Sequence, residues 1–160
     1  MDDKKPDLSA FMPPGWEGKL PPCMIQVDKE GQLLHNGAPL VHPGILELIF
    51  QSVHLEDGHY ILRVDGKACE LEVADTFYVV RSLEIDQEGI TLLLNDGSKE
   101  PLDPNTLSVG PEEVLYCRVK GGEHRARFHR PAYYQLAQMV EPDGSDFVLV
   151  LKGHRYPIKG

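Results

Sequence analysis

Residues 57–73 read Asp-Gly-His-Tyr-Ile-Leu-Arg-Val-Asp-Gly-Lys-Ala-Cys-Glu-Leu-Glu-Val, and this stretch decides the fold class. Apolar residues occupy every second position from Tyr60 to Val64 and again from Cys69 to Val73. An alternation with a period of two is typical of a strand that buries one face. Because Gly66 separates the two runs, the stretch predicts a pair of antiparallel strands with one face in water.

The quoted stretch ends a longer series of elements. Met24–Asp28 and Leu33–His35 predict a first hairpin. Pro43 predicts the first turn of a helix, because proline has no amide hydrogen to leave unpaired there and its φ is already helical. Asp57-Gly58 then predicts the turn that leads into the strand pair.

A second series repeats this order of elements. A hairpin is predicted over residues 115–129, Pro131 begins a helix, and Asp143-Gly144 leads into strands that end at Ile158. Pro43 and Pro131 are separated in the sequence by nearly the same number of residues as Gly58 and Gly144. We therefore expect residues 24–73 and 115–158 to superpose as one duplicated unit with the same strand order.

These elements predict an α+β fold: two tandem repeats of a strand-strand-helix-strand-strand unit, mainly antiparallel sheet with two short helices. Two more strands are predicted over residues 77–85 and 90–94. A length of 160 residues is typical of one domain, so we interpret residues 23–160 as a single internally duplicated domain. Residues 1–22 are rich in proline and predict an N-terminal arm.

The charge of the chain argues against two classes of partner. A formal net charge of −9 repels phosphate backbones and anionic lipid headgroups, so we expect neither nucleic acid nor membrane as a partner. The sequence contains no apolar run of transmembrane length, and its first residues contain no apolar signal core.

The cysteines indicate a reducing compartment. There are three, an odd number, and Cys23, Cys69 and Cys117 lie far apart in the sequence. This pattern predicts free thiols and hence a cytoplasmic protein. Cys69 and Cys117 fall on the apolar phase of their strands, so we expect both to be buried, unbridged and slow to react.

Motifs for catalysis and metal binding are absent from the sequence. It has no glycine-rich phosphate loop, no Gly-x-Ser-x-Gly elbow and no zinc helix with paired histidines. His54 and His59, like His124 and His129, are five residues apart and would lie on opposite faces of a strand. We expect no metal and no cofactor, and a non-enzyme is favoured while enzymatic activity stays open.

Residues 118–130 carry a net positive charge, although the net charge of the whole chain is negative. Around Gly121-Gly122 there are five cationic side chains and one acidic side chain. A two-residue turn at these glycines would place Arg118 opposite Arg125 and Tyr116 opposite Arg127, all on one face. The candidate anion- or partner-binding residues are Tyr116, Arg118, Lys120, Arg125, Arg127, His129 and Arg130.

Two interpretations of this cationic face stay open. Like charges directly opposed across strands destabilise a sheet by up to about 1 kcal/mol, so an anion is expected nearby. The anion could belong to the protein, in a salt-bridge network with Glu70, Glu72, Glu112 or Glu113. Alternatively, the face binds an anionic small molecule or an acidic protein segment.

Several stretches resemble the bacterial domain-of-unknown-function family 1285. They are Gly31–Leu40, Asp57–Leu62, Val73–Phe77, Tyr116–Gly122, Ala126-Arg127, Arg130 and Tyr133–Leu136, spread over about residues 20–158. The chain departs from the family pattern at Thr76, at Leu34 and in an extra residue after Gly122, as a divergent member would. The resemblance implies two tandem sheet-and-helix motifs, no enzymatic activity and a loose association with signalling.

Two functions follow from the sequence. The leading one is a non-catalytic cytoplasmic module that binds an anionic small molecule or an acidic protein segment. The alternative is a hydrolase-like enzyme that acts on a phosphorylated or carboxylated small molecule, with His129 or His124 beside Asp75 or Glu72. A deep pocket that joins a carboxylate to a histidine would favour the enzyme, and a shallow basic groove would favour the module.

Overall fold

The structure is a computed structural model that describes residues 22–64 and 66–159. For Val64 it describes the backbone and not the side chain. These residues belong to two compact units, of which the first ends at Phe77 and the second begins at Tyr78. The predicted arm lies outside the described residues, except for Pro22, and the single-domain interpretation stays a prediction. Within the described ranges, no helix is both long and apolar enough to cross a membrane.

Over residues 22–77, apart from the undescribed position 65, the first unit contains one sheet and one α-helix. Its elements are β1 (Pro22–Val27), β2 (Leu33–His35), β3 (Ala38–Pro39), α1 (Pro43–Ser52), β4 (Val53–Glu56), β5 (His59–Val64) and β6 (Lys67–Val73). The strands form a six-stranded sheet in the order β3-β2-β1-β6-β5-β4. The central pair, β1 and β6, is parallel, and its neighbours are antiparallel.

Helix α1 begins where the sequence predicts. Pro43 occupies the first turn, and the Nδ1 atom of His42 accepts a hydrogen bond from the backbone N–H of Ile45 at 3.2 Å. This bond satisfies one of the amides that a helix leaves unpaired at its start. Ile49 is fully buried from the middle of the helix, so α1 has one buried face.

The second unit, described from Tyr78 to residue 159, contains two sheets and one α-helix. Its elements are β7 (Tyr78–Asp86), β8 (Gly89–Leu94), β9 (Lys99–Pro101), β10 (Ser108–Val109), β11 (Leu115–Val119), β12 (His124–Phe128), α2 (Arg130–Ala137), β13 (Val140–Asp143), β14 (Asp146–Leu151) and β15 (His154–Ile158). Six strands form a sheet in the order β10-β11-β12-β7-β8-β9, and the last three form a second sheet. The side chain of Gln135 ties α2 to β7 through two hydrogen bonds to the backbone of Leu83, at 2.8 and 2.9 Å.

The predicted fold class is confirmed: the chain has an α+β fold, and its described residues form two short α-helices and two similar six-stranded sheets. The predicted order of elements is also present in both stretches. The strand order, however, does not repeat between residues 24–73 and 115–158, and that part of the prediction is wrong. β6 pairs with β1 in the first stretch, whereas β15 and β11 lie in different sheets.

The strand order repeats instead between residues 22–73 and 78–128. In each stretch the first and sixth strands form the central parallel pair, and the other four strands extend the sheet to its two edges. The sequence carries a signal for this repeat, because Asp-x-Glu-Gly occurs at residues 28–31 and 86–89. In both turns the aspartate side chain accepts hydrogen bonds from backbone amides two to four residues ahead.

The cysteines correct one prediction and confirm another. Cys69 is buried, but it is bonded to Cys23, with 5.0 Å between the two Cα atoms. The prediction of an unbridged Cys69 is therefore wrong, since the parallel pairing of β1 with β6 brings together residues 46 positions apart. Cys117 is free and buried, as predicted. The cytoplasmic location stays a prediction, and its thiol argument now rests on Cys117 alone.

Candidate functional site

The hairpin of β11 and β12 has the predicted register. Arg118 lies opposite Arg125, and Tyr116 lies opposite Arg127. Gly121 and Gly122 form the turn with φ values of 73° and 82°, which residues other than glycine rarely adopt. Two glycines therefore fix the loop length, and the loop length fixes which side chains face each other.

One face of this hairpin is anchored in the core. Its buried side chains are Leu115, Cys117, Val119, Ala126 and Phe128. Successive residues of a strand point to opposite faces, so burial of this set fixes the direction of the alternate set. We call the alternate set of Tyr116, Arg118, Arg125 and Arg127 the arginine face.

Tyr116 is the buried support of the arginine face. Its side chain is 5% exposed, and the guanidinium carbon of Arg125 lies 3.5 Å from the centre of its ring. The ring packs so closely on Gly110 that a Cβ atom there would lie 2.7 Å from the Cε2 atom of Tyr116. Gly110 has φ of −100°, so its role is space for the ring and not an unusual backbone conformation.

Arg118 and Arg125 are the exposed cations of the arginine face. Among the residues that the structure describes, neither forms a salt bridge with a carboxylate. The backbone of Arg118 is held in place, because its N–H donates to the Oγ1 atom of Thr106 at 3.0 Å. Two arginines thus occupy directly opposite positions on the paired strands, and in the described ranges neither has an acidic partner.

Lys120 does not belong with the arginines. Its Nζ atom donates to Oδ2 of Asp96 at 2.7 Å and to Oγ of Ser98 at 2.9 Å. Its backbone N–H donates to both carboxylate oxygens of Glu100, each at 3.1 Å. Burial raises the pKa of Asp96, but the hydrogen bonds from Lys120 and Ser98 outweigh it and hold that pKa below its usual value.

Lys120 therefore has an internal ion pair, and its carboxylate is not one of those named from the sequence, Glu70, Glu72, Glu112 and Glu113. Asp96 forms an ion pair with the Nζ atom of Lys120, and Glu100 accepts hydrogen bonds from its backbone N–H. Glu70 instead lies 3.0 Å from the Nδ1 atom of His59. Sequence reasoning missed Asp96 and Glu100, because they follow β8 and lie on β9, which are not neighbours of β11 in the sheet order.

The remaining predicted site residues lie at the edge of the arginine face. His129 precedes α2, and its backbone N–H donates to the carbonyl of Val80 at 2.9 Å. Its side chain makes no capping hydrogen bond, and Arg130 is exposed in the first turn of α2. The structure thus brings together Tyr116, Arg118, Arg125 and Arg127, with His129 and Arg130 just beyond the end of β12.

His124 lies on the opposite face of the hairpin of β11 and β12 from Arg118 and Arg125. It pairs with Val119, and its ring meets the ring of Tyr78 edge-on at 5.0 Å between centroids. Burial lowers the pKa of His124, so the neutral imidazole is favoured. The position of His124 does not suit the role of a base beside the arginines.

A cavity of about 480 Å³ lies in the second unit, where α2 and the three-stranded sheet meet β10 and β11. Sequence reasoning missed it. Its lining contains two carboxylates, Glu113 and Asp146, and no histidine. In the described part of the chain there is also no group of three side chains that could hold a metal ion. This cavity is therefore not the pocket of carboxylate and histidine that the enzyme alternative requires.

Comparisons with known proteins identify the fold. No family model matches the chain, and no curated protein matches its sequence. A crystal structure of a DUF1285 family protein from Silicibacter pomeroyi DSS-3 has a TM-score of 0.68 at 17% identity, over 99% of this chain and 90% of that one. A DUF1285 family protein from Shewanella baltica OS155 has a TM-score of 0.59 at 16% identity, over 72% and 91%. These likenesses confirm the resemblance that the sequence motifs indicate, at the level of the fold.

Proposed function

We propose that this chain, which has the fold of DUF1285 family proteins, is a non-catalytic module that binds an anionic small molecule or an acidic protein segment. One observation carries the proposal. Arg118 and Arg125 are directly opposed and exposed, and no carboxylate in the described ranges forms a salt bridge with either. An anion held between them would replace their repulsion with two attractions.

The surroundings of Arg125 support this role. Tyr116 lies under its guanidinium group, and Gly110 leaves the room that the ring needs. Stacking on a ring limits the orientations of the guanidinium group, so less conformational entropy is lost when an anion binds. The planar fork of an arginine matches two oxygens of a phosphate or a carboxylate. Phosphate and carboxylate groups are therefore the ligand chemistry that fits this face.

The position of the histidines favours a binding module over the hydrolase-like enzyme. His124 pairs with Val119 on the buried side of the hairpin. His129 lies beyond the strand, before α2. The cytoplasmic location and the association with signalling stay predictions on which this proposal does not depend.

Thermal unfolding in inorganic phosphate, with chloride added to hold the ionic strength constant, tests the proposal. A ligand that binds only the native state raises the unfolding midpoint. We expect phosphate to raise the midpoint of the parent protein, and Arg118→Gln and Arg125→Gln each to remove most of the increase. Arg155→Gln is the matched control, because Arg155 is an exposed arginine of the same unit that pairs with Glu141.

Phosphate also stabilises proteins in general by its exclusion from their surfaces. The control variant separates this effect from binding at the site. An equal rise in the parent protein, in the two arginine-face variants and in Arg155→Gln would show a general salt effect and overturn the proposal.

A further inference from the structure

We infer that the cavity of the second unit is a separate binding site for a small molecule with an apolar body and a protonated amine. The cavity lies on the other side of β11 from the arginine face: Leu115 lines the cavity, whereas its neighbour Tyr116 supports Arg125. Adjacent residues of a strand point to opposite faces, so the two sites do not share side chains.

The size and lining of the cavity fit a small apolar ligand. Its volume of about 480 Å³ lies within the range of known ligand pockets, roughly 300–1,000 Å³. Most of the lining is apolar and comes from α2, from β10 and β11, and from the three-stranded sheet. Leu136 forms a fully buried part of the wall, whereas Ala137, at the end of α2, is exposed.

The charged residues of the cavity lining favour a ligand with a positive charge. Glu113 and Asp146 are the charged lining residues, and no lysine, arginine or histidine is among the lining. In the part of the chain that the structure describes, neither carboxylate forms a salt bridge. Two unneutralised carboxylates beside an apolar surface attract a cation with a hydrocarbon or aromatic body.

Two aromatic rings of the lining strengthen this selection. Phe147 is 55% exposed and Tyr133 is 37% exposed, which is unusual for side chains of this size. A ligand in the cavity would cover apolar area on both rings. The face of an aromatic ring also attracts an ammonium group, so the rings and the carboxylates favour the same class of ligand.

The backbone beside the cavity is held in a costly conformation. Glu112 and Glu113 are consecutive residues with φ of 60° and 61°, values that residues other than glycine and asparagine rarely adopt. The N–H of Gly110 donates to the carbonyl of Val114 across this turn at 2.8 Å. Strained backbone of this kind is concentrated at ligand sites, and here it sets the position of a lining carboxylate.

Titrations with two probes of the same ring system test the inference. Tryptamine carries an ammonium group, and indole-3-ethanol carries a neutral hydroxyl group on the same two-carbon chain. Both are titrated into the full chain, and binding is followed by backbone amide shifts. We expect tryptamine to bind more tightly, with shifts at cavity residues, and Glu113→Gln with Asp146→Asn to reduce its affinity about fivefold or more, to that of the alcohol.

Two further variants complete the test. Ala137→Trp is expected to fill the cavity and abolish binding of both probes, and Ala137 is exposed, so the change does not enter the core. Glu88→Gln removes an exposed carboxylate in the turn before β8, away from the cavity lining, and should leave the affinity unchanged. Equal affinity for the two probes, no saturable binding, or tryptamine binding that survives Ala137→Trp would each overturn the inference.

Discussion

The guanidinium carbon of Arg125 lies 3.5 Å from the centre of the Tyr116 ring, while Arg118 lies directly opposite Arg125 across the strand pair. The two relationships have opposite effects on stability. The stack on the ring is attractive, whereas like charges at directly opposite strand positions are destabilising. Arg125 takes part in both, and Arg118 takes part only in the repulsion. The two arginines should therefore respond differently to removal of their charge.

Arg118→Gln is expected to leave the free energy of unfolding unchanged or to raise it by up to about 0.5 kcal/mol, because it relieves repulsion. Arg125→Gln is expected to lower that free energy by about 0.5 kcal/mol, because it also removes the stack on Tyr116. Urea denaturation of both variants and the double variant measures the difference. A clear loss of stability in Arg118→Gln would show that this arginine holds an internal carboxylate and would remove the basis for an external anion.

Gly110→Ala is expected to lower the free energy of unfolding by about 1–3 kcal/mol, since the new Cβ overlaps the Tyr116 ring and the ring must move. Movement of the ring also displaces Arg125, so stabilisation by phosphate should fall. In a Tyr116→Leu background the overlap disappears, and Gly110→Ala should cost much less. Equal costs in the two backgrounds would mean that the ring does not require this glycine.

Local rules made the arginine face predictable from the sequence. A two-residue turn at Gly121-Gly122 fixes the pairing of β11 with β12, and the alternation of apolar residues fixes which face is buried. The start of each helix followed from a proline in its first turn. Each of these predictions uses only neighbours in the sequence, and each is confirmed.

Contacts between distant residues were not predictable in the same way. The parallel pairs β1 with β6 and β7 with β12 join the first and last strands of each six-stranded stretch, and turn chemistry does not determine such pairing. The Cys23–Cys69 bond, the contacts of Lys120 with Asp96 and Glu100, and the cavity all depend on sheet order. The repeated Asp-x-Glu-Gly turn was the sequence signal closest to this information.

The Cys23–Cys69 bond is expected to stabilise the first unit. Closure of a 46-residue separation by a disulfide is worth about 4 kcal/mol in the chain-entropy estimate. Cys23→Ala with Cys69→Ala should therefore lower the free energy of unfolding of the oxidised protein by up to about that amount. Thiol titration of the denatured, unreduced parent should find one free thiol, and three free thiols would contradict the bond.

Lys120 and Lys99 each form an ion pair with a carboxylate, and the two ion pairs can be compared directly. Each Nζ atom lies 2.7 Å from a carboxylate oxygen, but Asp96 is 11% exposed and Glu84 is 60% exposed. Lys120→Met should lower the free energy of unfolding by about 1–2 kcal/mol, because a partly buried carboxylate loses a charged donor. Lys99→Met should change it by less than about 0.5 kcal/mol.

The pH dependence gives a second measurement of the Lys120 pair. The pKa of Asp96 is lowered in the folded state, so its contribution to stability is present above the pKa of the unfolded chain and is lost as the pH falls through the folded pKa. The difference between the parent protein and Lys120→Met should shrink as the pH falls through this range. A difference that is the same at neutral and acidic pH would mean that Lys120 acts through its hydrocarbon chain and not through Asp96.

Cys117 should make the protein sensitive to alkaline pH. Burial, with a smaller effect from Glu100, raises the pKa of its thiol to about 12 from an ordinary value of 9.0. In the folded state the thiol stays neutral, while in the unfolded chain it ionises above about pH 9, so ionisation favours unfolding. Its contribution is fully present below pH 9.0 and is lost, at about 1.4 kcal/mol per pH unit, as the pH rises toward about 12. Cys117→Ala should remove this part of the slope in urea denaturation at successive pH values. The same alkaline slope in the parent protein and in Cys117→Ala, or rapid labelling of Cys117 without denaturant, would contradict a buried neutral thiol.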